Sequence, residues 1–256
     1  MTTEEIIQAK KQQLAQEKIL VSEEALREQA SELERVPLSL ERALTRSGLA
    51  VIGPVMKASP LTKKTRGDFD CAETARLEQR LGVDALMVAT DQTYFGGQQK
   101  FVGQVRKYAQ VPVLLYDYII EQYQIYAAAN LGADAVVLMP ELLDLDLISR
   151  FTTLIHTLGM EAVIEVHTQA QMTVALQSGL TMIMIRNLGF DGSGSLSVTK
   201  ELLPAIPEGN VGISWGDISS VEDLKDVQSW GAEAACPDRS LFDTVPRRTL
   251  RQITGR

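Results

Sequence analysis

The phrase LGVDAL at residues 81–86 returns as LGADAV at 131–136, LGMEAV at 158–163 and WGAEAA at 230–235, with a weaker echo in SGLTMI at 178–183. Each copy reads as the end of a helix, a glycine cap and the start of a strand, because glycine adopts positive φ without a Cβ clash. The apolar runs that follow lack polar alternation, which is typical of parallel strands buried on both faces. The repeated phrase therefore predicts alternating helices and buried strands.

Three further apolar runs complete the series: LAVIGPV at 49–55, VPVLLYDY at 111–118 and NVGIS at 210–214. Eight buried strands separated by helix-length segments favour a closed (β/α)8 barrel. A doubly wound sheet would ordinarily carry GxGxxG after its first strand, and this sequence has none there. We therefore predict an α/β fold, a single TIM barrel, with strands near 49–55, 84–89, 111–116, 134–139, 161–166, 181–186, 210–214 and 233–237.

Residues 1–47 precede the first predicted strand and show helical periodicity among many charged residues. Their apolar positions are Ile6, Ile7, Leu14, Ile19, Leu20, Leu26 and Leu33. We expect an N-terminal helical extension that packs on the barrel as a lid, and a partner-binding arm is the alternative. Residues 48–256 would then form the barrel.

The composition excludes several classes of protein. A hydrophobic fraction of 45% and a charged fraction of 23% argue against disorder and against membrane spanning. The net charge of -8 and scattered basic residues argue against nucleic-acid binding. Cys71 and Cys236 show no metal-ligand or disulfide spacing. We expect a cytoplasmic monomer or homodimer that binds a small molecule, with no cofactor, no metal and no membrane or nucleic-acid partner.

The stretch VIGPVMKASP at 51–60 resembles the first-strand motif of indole-3-glycerol phosphate synthases, in which a Glu, a Lys and a Ser-Pro stand in that order. The resemblance implies a TIM barrel that closes an indole ring on a phosphorylated substrate with loss of carbon dioxide and water. Such a reaction needs a cationic acid, a carboxylate and donors for the phosphate. The resemblance continues through DFD at 68–70, TDQTYFGG at 90–97, YDYIIEQYQIY at 116–126, LGADAVVLM at 131–139 and LGMEAVIEVH at 158–167.

Several positions that the resemblance marks as catalytic hold other residues here. The family's first-strand Glu falls on Pro54, its first-strand Lys on Met56 and its principal catalytic Lys on Tyr116. Tyrosine has an unperturbed pKa of about 10 and supplies no standing positive charge. Glu165, in IEVH, is the one catalytic carboxylate that remains. The resemblance therefore implies a base without its cationic acid.

The sixth strand also departs from the family pattern. The family's Asn falls on Arg186 in an ungapped alignment, or on Met184 if IMIRNL is registered on its Arg-Asn-Leu. Arg186 would follow Glu165 by one strand, so the two could form a structural ion pair as well as a functional one.

The phosphate-binding end of the family's barrel is altered on the last two strands. The seventh-strand Ser-Glu-Ser-Gly falls on SWGD at 214–217, and the eighth-strand Gly-Ser or Gly-Glu pair falls on Asp238 and Arg239. Barrels of this kind bind phosphate with backbone N–H groups after these two strands. The carboxylates of Asp217 and Asp238 would repel a dianion there, although Arg239 could offset one of them.

These replacements favour a repurposed barrel that has lost the ring closure and binds or transforms another small, aromatic or apolar molecule. Glu165 would be its base or anchor, Tyr116 a hydrogen-bond donor and Arg186 the partner of a carboxylate or oxyanion. One alternative is a still active lyase of this family that uses Tyr116 and Arg186 in place of lysines, and another is a non-enzymic binding or scaffold protein. The candidate ligand-binding residues are Ser59, Met56, Phe95, Tyr118, Trp215, Asp217, Asp238 and Arg239.

Overall fold

The computed structural model describes residues 2–59, 64–65, 67–190 and 193–255. Parallel strands form one closed barrel, in which each strand pairs with the next along the chain and the last pairs with the first. The predicted TIM barrel is confirmed, and its strand boundaries lie within one or two residues of those expected. The barrel strands are β1 Ala50–Val55, β2 Ala85–Ala89, β3 Val113–Tyr116, β4 Ala135–Leu138, β5 Glu161–Val166, β6 Met182–Arg186, β7 Val211–Trp215 and β8 Ala234–Cys236. A two-residue antiparallel ladder pairs Ala58–Ser59 with Lys64–Thr65.

Helices alternate with the strands and form the outer layer, and three of them precede β1. They are α1 Thr3–Leu20, α2 Glu23–Ser31, α3 Leu40–Leu44, α4 Cys71–Leu81, α5 Gln92–Phe95, α6 Lys100–Arg106, α7 Gln122–Leu131, α8 Leu145–Thr157, α9 Gln169–Ser178, α10 Ser197–Leu202, α11 Val221–Ser229, α12 Arg239–Thr244 and α13 Arg247–Thr254. A 3-10 turn, Leu203–Ala205, follows α10.

The glycines of the repeated phrase end their helices as the sequence predicts. Gly82 and Gly132 adopt left-handed backbone conformations, with φ of 93° and 88°, at the ends of α4 and α7. Their N–H groups donate to carbonyl oxygens of the last helical turn, which satisfies acceptors that the helix itself leaves open. The chain then turns directly into the next buried strand.

The N-terminal segment contacts both ends of the barrel, which we call the mouth (the carboxyl ends of the strands) and the floor (their amino ends). Helix α1 lies at the mouth, where Ile6 packs into the cluster of side chains inside the barrel. Helix α2 packs against α7 on the outside, where Leu26 and Tyr123 belong to one buried apolar cluster. The segment therefore runs along the barrel from mouth to floor.

At the floor the same segment is fixed by a buried carboxylate. Asp134, directly before β4, accepts hydrogen bonds from Arg35 and from the backbone N–H of Leu38. Helix α3 follows, and its Leu40 and Leu44 close the interior of the barrel from below. We use the term strap for residues 3–44, because they span the height of the barrel.

Gly97, in the loop after β2, is required by the close approach of two backbones. A Cβ at this position would lie 2.4 Å from the carbonyl oxygen of Ala89. We expect Gly97→Ala to lower the free energy of unfolding by about 1–3 kcal/mol, because neither backbone can move freely. Gly103→Ala is the matched control: its Cβ would meet only ordinary contacts at 3.6 Å or more, inside α6. Gly103→Ala should raise the free energy of unfolding by up to about 1 kcal/mol. Urea denaturation measures both variants, and equal effects at positions 97 and 103 would contradict the role of the close backbone approach.

Candidate functional site

The centre of the mouth is occupied by Glu165, whose side chain points inward near the end of β5 and is almost fully buried. Arg186 on β6 donates from Nε to Oε1 of Glu165 at 2.9 Å. Trp215 on β7 donates from Nε1 to the other oxygen, Oε2, also at 2.9 Å. Burial raises the pKa of Glu165, and the charge of Arg186 opposes that rise. Both oxygens of this carboxylate are therefore already engaged.

The guanidinium of Arg186 is held from several sides. Its Nη1 donates to the carbonyl oxygen of Leu188. Its Nη2 donates to Oε2 of Glu141 at 2.9 Å. It also stacks over the ring of Phe190, 4.2 Å from the centroid. Burial alone would lower the pKa of Arg186, but the adjacent carboxylates, Glu165 foremost, leave it raised. One cation thus faces two carboxylates.

Tyr116 is buried at the end of β3, beside this ion pair. Its ring makes edge-on contacts with Phe95 and Trp215, each with centroids 5.4 Å apart. Its hydroxyl makes no hydrogen bond of regular geometry with the described residues, although Glu165 is close enough to affect its ionisation. Burial first, and the charge of Glu165 second, raise the pKa of Tyr116 well above its ordinary value. Tyr116 is consequently a neutral side chain at physiological pH.

Aromatic rings fill the remainder of the mouth. Tyr118 lies next to Tyr94, Phe95 and Phe190, with centroids 5.8 to 6.1 Å apart. Met56 belongs to the same cluster. The structure thus brings together seven of the candidate site residues, namely Glu165, Tyr116, Arg186, Met56, Phe95, Tyr118 and Trp215.

The candidate residues near the phosphate-binding end are distributed differently. Asp217 follows β7 in a left-handed conformation, with φ of 56°, and Asp238 directly precedes α12. Arg239 points away from the mouth. Its Nε lies 3.3 Å from Oε1 of Glu78 on α4, and its Nη1 lies 3.0 Å from Oδ1 of Asp243. The ion pairs described for Arg239 thus join α12 to α4, and its expected offset of Asp217 or Asp238 stays a prediction. The side chain of Ser59 lies outside the described residues.

A buried lysine that the sequence analysis did not single out closes one side of the mouth. Nζ of Lys10, on α1, lies 2.6 Å from Asp91 and 2.6 Å from Asp117, which follow β2 and β3, and its side chain is 0% exposed. Burial lowers the pKa of Lys10 but the two aspartates, Asp117 first, raise it overall. Its place between Ile6 and Leu14, four residues from each on the buried stripe of α1, is the signal that could have found it.

A second polar cluster positions the loop after β6. Asn187 donates from Nδ2 to Oγ of Ser214 and to the carbonyl oxygen of Gly216, and accepts at Oδ1 from Thr199. His167 donates from Nδ1 to the carbonyl oxygen of Arg186 at 2.7 Å. These contacts tie β5, β6 and β7 together at the point where Arg186 leaves the sheet.

Within the described part of the chain, no three His, Cys, Asp or Glu side chains are placed to hold a metal ion together. Among the described helices, none combines the length and the apolar character that crossing a membrane requires.

The comparison with solved structures supports the fold. The chain is similar to the N-acetylmannosamine-6-phosphate 2-epimerase from Clostridium perfringens, with a TM-score of 0.60. The match covers 87% of this chain and 99% of that one. At 13% sequence identity this likeness concerns the fold alone.

The comparison with sequences identifies the family. The family profile described as indole-3-glycerol phosphate synthase matches residues 3–243. Proteins of that name are 34% identical over 90% of both chains in Carboxydothermus hydrogenoformans and 31% identical over 91% of both in Campylobacter hominis. The relative from Thermoanaerobacter pseudethanolicus is 31% identical over 77% of this chain and 75% of its own. The chain belongs to the indole-3-glycerol phosphate synthase family.

Proposed function

We propose that this family member has lost the decarboxylating ring closure and that its mouth binds a small aromatic or apolar molecule. The observation that carries the proposal is the state of Glu165, whose two oxygens are held by Arg186 and Trp215. A substrate proton could reach either oxygen only if the hydrogen bond from Arg186 or from Trp215 were displaced, so Glu165 is blocked as a base by its own partners.

No residue at the positions where the family carries its acidic and cationic groups can serve as the general acid of the ring closure. Met56 and Pro54 carry no transferable proton, and the raised pKa of Tyr116 makes its hydroxyl a weaker acid than that of an ordinary tyrosine. Arg186 holds its proton too firmly to act as a general acid, because its ordinary pKa already lies far above working pH and the adjacent carboxylates raise it further. Ring closure with loss of water needs an acid that gives up its proton at working pH.

The side chains at the mouth favour an aromatic or apolar ligand. Tyr118, Phe190 and Trp215 offer ring faces and edges, and aromatic pairs of this kind contribute about 0.5–1.5 kcal/mol beyond the burial of area. Arg186 provides a charged group at the edge of the same cluster. Ligand sites commonly combine apolar walls with a few convergent polar groups.

An active indole-3-glycerol phosphate synthase is the second candidate, and the names of the relatives favour it. A combined assay separates the two. Turnover is measured with the family's phosphorylated substrate, and thermal shifts are measured with unphosphorylated aromatic molecules. We expect stabilisation by an aromatic molecule and no turnover. Turnover at a rate ordinary for the family would refute the proposal, and no response to any compound would favour a scaffold protein.

Phosphate binding gives an independent test of the effect of Asp217 and Asp238, the two aspartates that follow β7 and β8. We expect inorganic phosphate to bind the native chain weakly, and Asp217→Gly combined with Asp238→Gly to tighten binding by about tenfold, because two negative charges are removed. Asp217→Asn combined with Asp238→Asn is the matched control, because it removes the charges and keeps the side chains. Equal gains in both pairs, measured by calorimetry, would show that charge is the cause. Micromolar affinity in the native chain would contradict the repulsion.

A further inference from the structure

A cavity in the helical layer of the barrel is lined by three lysines. It has a volume of about 520 Å³ and lies between the start of α4 and one face of α6. Sites for small molecules typically measure about 300–1,000 Å³, so one such molecule would fit. We call this cavity the lysine cleft, and its lining includes Lys57, Lys100, Lys107, Phe69, Phe101, Gln98 and Gln104.

Two of the lysines stand on the same face of α6. Lys100, Gln104 and Lys107 are four and three residues apart, which places their side chains on one side of a helix. Seven residues of helix span about 10 Å, so the two lysines enter the cleft at separate points along it. Burial raises the pKa of Cys71 at the start of α4, and the charge of Lys100 opposes this rise. The Lys100 ammonium therefore lies on the side of α6 that faces α4.

The three ammonium groups form no ion pair with a described carboxylate, although the chain carries a net charge of -8. Among the described lining residues Asp70 alone is acidic, and its Oδ1 accepts the N–H of Glu73 at 2.9 Å as the cap of α4. Three ammonium groups and one carboxylate leave two net positive charges. Cations gathered in one cavity repel each other, and an anion that enters removes this repulsion. The cleft is thus suited to a ligand with at least two negative charges.

Aromatic rings and amides form the rest of the wall. Phe69 and Phe101 are half-buried, and their ring centroids lie 5.6 Å apart. The exposed parts of these rings can pack against a planar group of a ligand. Gln104 accepts at Oε1 from Sγ of Cys71 at 3.0 Å, so its NH₂ group is the part that can reach a ligand. The cleft therefore combines apolar walls with convergent polar groups, as ligand sites commonly do.

We propose that the lysine cleft binds a nucleotide-like small molecule, a planar aromatic group that carries at least two phosphate charges. The phosphates lie against Lys100 and Lys107, and the ring lies against Phe69 and Phe101. The cleft is separate from the mouth, so this proposal does not depend on the function proposed for Glu165 and its neighbours.

Calorimetric titration at low ionic strength and without divalent cations tests the proposal, with ADP, adenosine and inorganic pyrophosphate as probes. The proteins are the native chain, Lys100→Gln combined with Lys107→Gln, and Lys200→Gln combined with Lys225→Gln. The last pair makes the same change of charge at exposed positions on α10 and α11.

We expect the native chain to bind ADP, and the Lys100 and Lys107 pair to bind it at least about tenfold more weakly, because the charges that contact the phosphates are lost. The Lys200 and Lys225 pair should match the native chain. Adenosine lacks the charge and pyrophosphate lacks the ring, so both should bind the native chain more weakly than ADP.

Each other outcome overturns a definite statement. If ADP does not bind the native chain at millimolar concentrations, the cleft is not a nucleotide site. If the Lys100 and Lys107 pair binds ADP as tightly as the native chain, the anion binds elsewhere and the proposal is wrong. An equal loss in both pairs would show an effect of net charge alone, which also refutes the site. Pyrophosphate that binds as tightly as ADP would refute the contact between the ring and the two phenylalanines.

Discussion

Replacing Lys10 by methionine is expected to lower the free energy of unfolding by about 3–5 kcal/mol, the range typical for breaking a buried ion pair from one side. Methionine fills a similar volume, so packing is kept and the loss comes from charge. Asp91 and Asp117 would remain buried and face each other without the ammonium that now lies 2.6 Å from both. Urea denaturation followed by circular dichroism measures the change.

Lys18→Met is the matched control. Lys18 lies on α1 like Lys10 and pairs with Glu121, but both of these side chains are 35% exposed. Pairs of that kind contribute about 0–1 kcal/mol, so the control should be close to native. A loss of comparable size in both variants would show that α1 is stabilised by helix packing in general and not by the buried charge of Lys10.

The loss of unfolding free energy in Lys10→Met should also depend on pH, and the pKa of Asp91 sets the direction of that dependence. Burial already raises the pKa of Asp91 above its ordinary value, with Lys10 opposing the rise. Without Lys10 the folded-state pKa rises further above that of the unfolded chain. The folded state then takes up protons more readily, and the stability of the variant relative to the native protein should increase as pH falls from 8 towards 5.

Turnover of the family's substrate is expected to be at least about 10⁴-fold below that of an active relative, because an acid and a freely available base are both missing and each contributes roughly 10²–10⁴-fold. Restoring Met56→Lys and Tyr116→Lys together should not recover the activity. The ammonium introduced at position 116 would lie among Phe95, Trp215 and an already paired Glu165, where burial disfavours its charge.

The relative from Carboxydothermus hydrogenoformans, assayed under the same conditions, provides the reference rate. Substantial turnover by the native chain would overturn the loss of activity. Full recovery by the two lysines alone would show that Pro54, Trp215 and the rim aspartates do little harm.

The strands could be predicted from the sequence because their signals are local. Each lies directly beside a glycine cap or within a continuous apolar run, so a window of about ten residues contains what is needed. The pairing of Glu165 with Arg186 was also open to prediction, because successive strands of a TIM barrel are neighbours and both residues stand at the same end. The order of residues along the chain was enough to predict the strands and this pairing.

The remaining partners depend on how the barrel closes. Glu141 lies 45 residues from Arg186, on a loop whose path no local pattern specifies. Lys10 occupies a position on the buried stripe of α1, but its charge argues for exposure until the two aspartates are brought to it. Arg239 is the opposite case: alignment places it at the rim, whereas α12 begins there and directs its side chain towards Glu78.

The strap has a consequence for the order in which a nascent chain can assemble. Residues 3–44 are translated before the barrel strands, yet the groups that hold them are made later: Asp91 and Asp117 at the mouth, Tyr123 along the side and Asp134 at the floor. Until about half of the chain has been synthesised, the strap has few of its final partners to bind. The strap is therefore made well before it can dock, and the buried stripe of α1 stays open to solvent in the meantime.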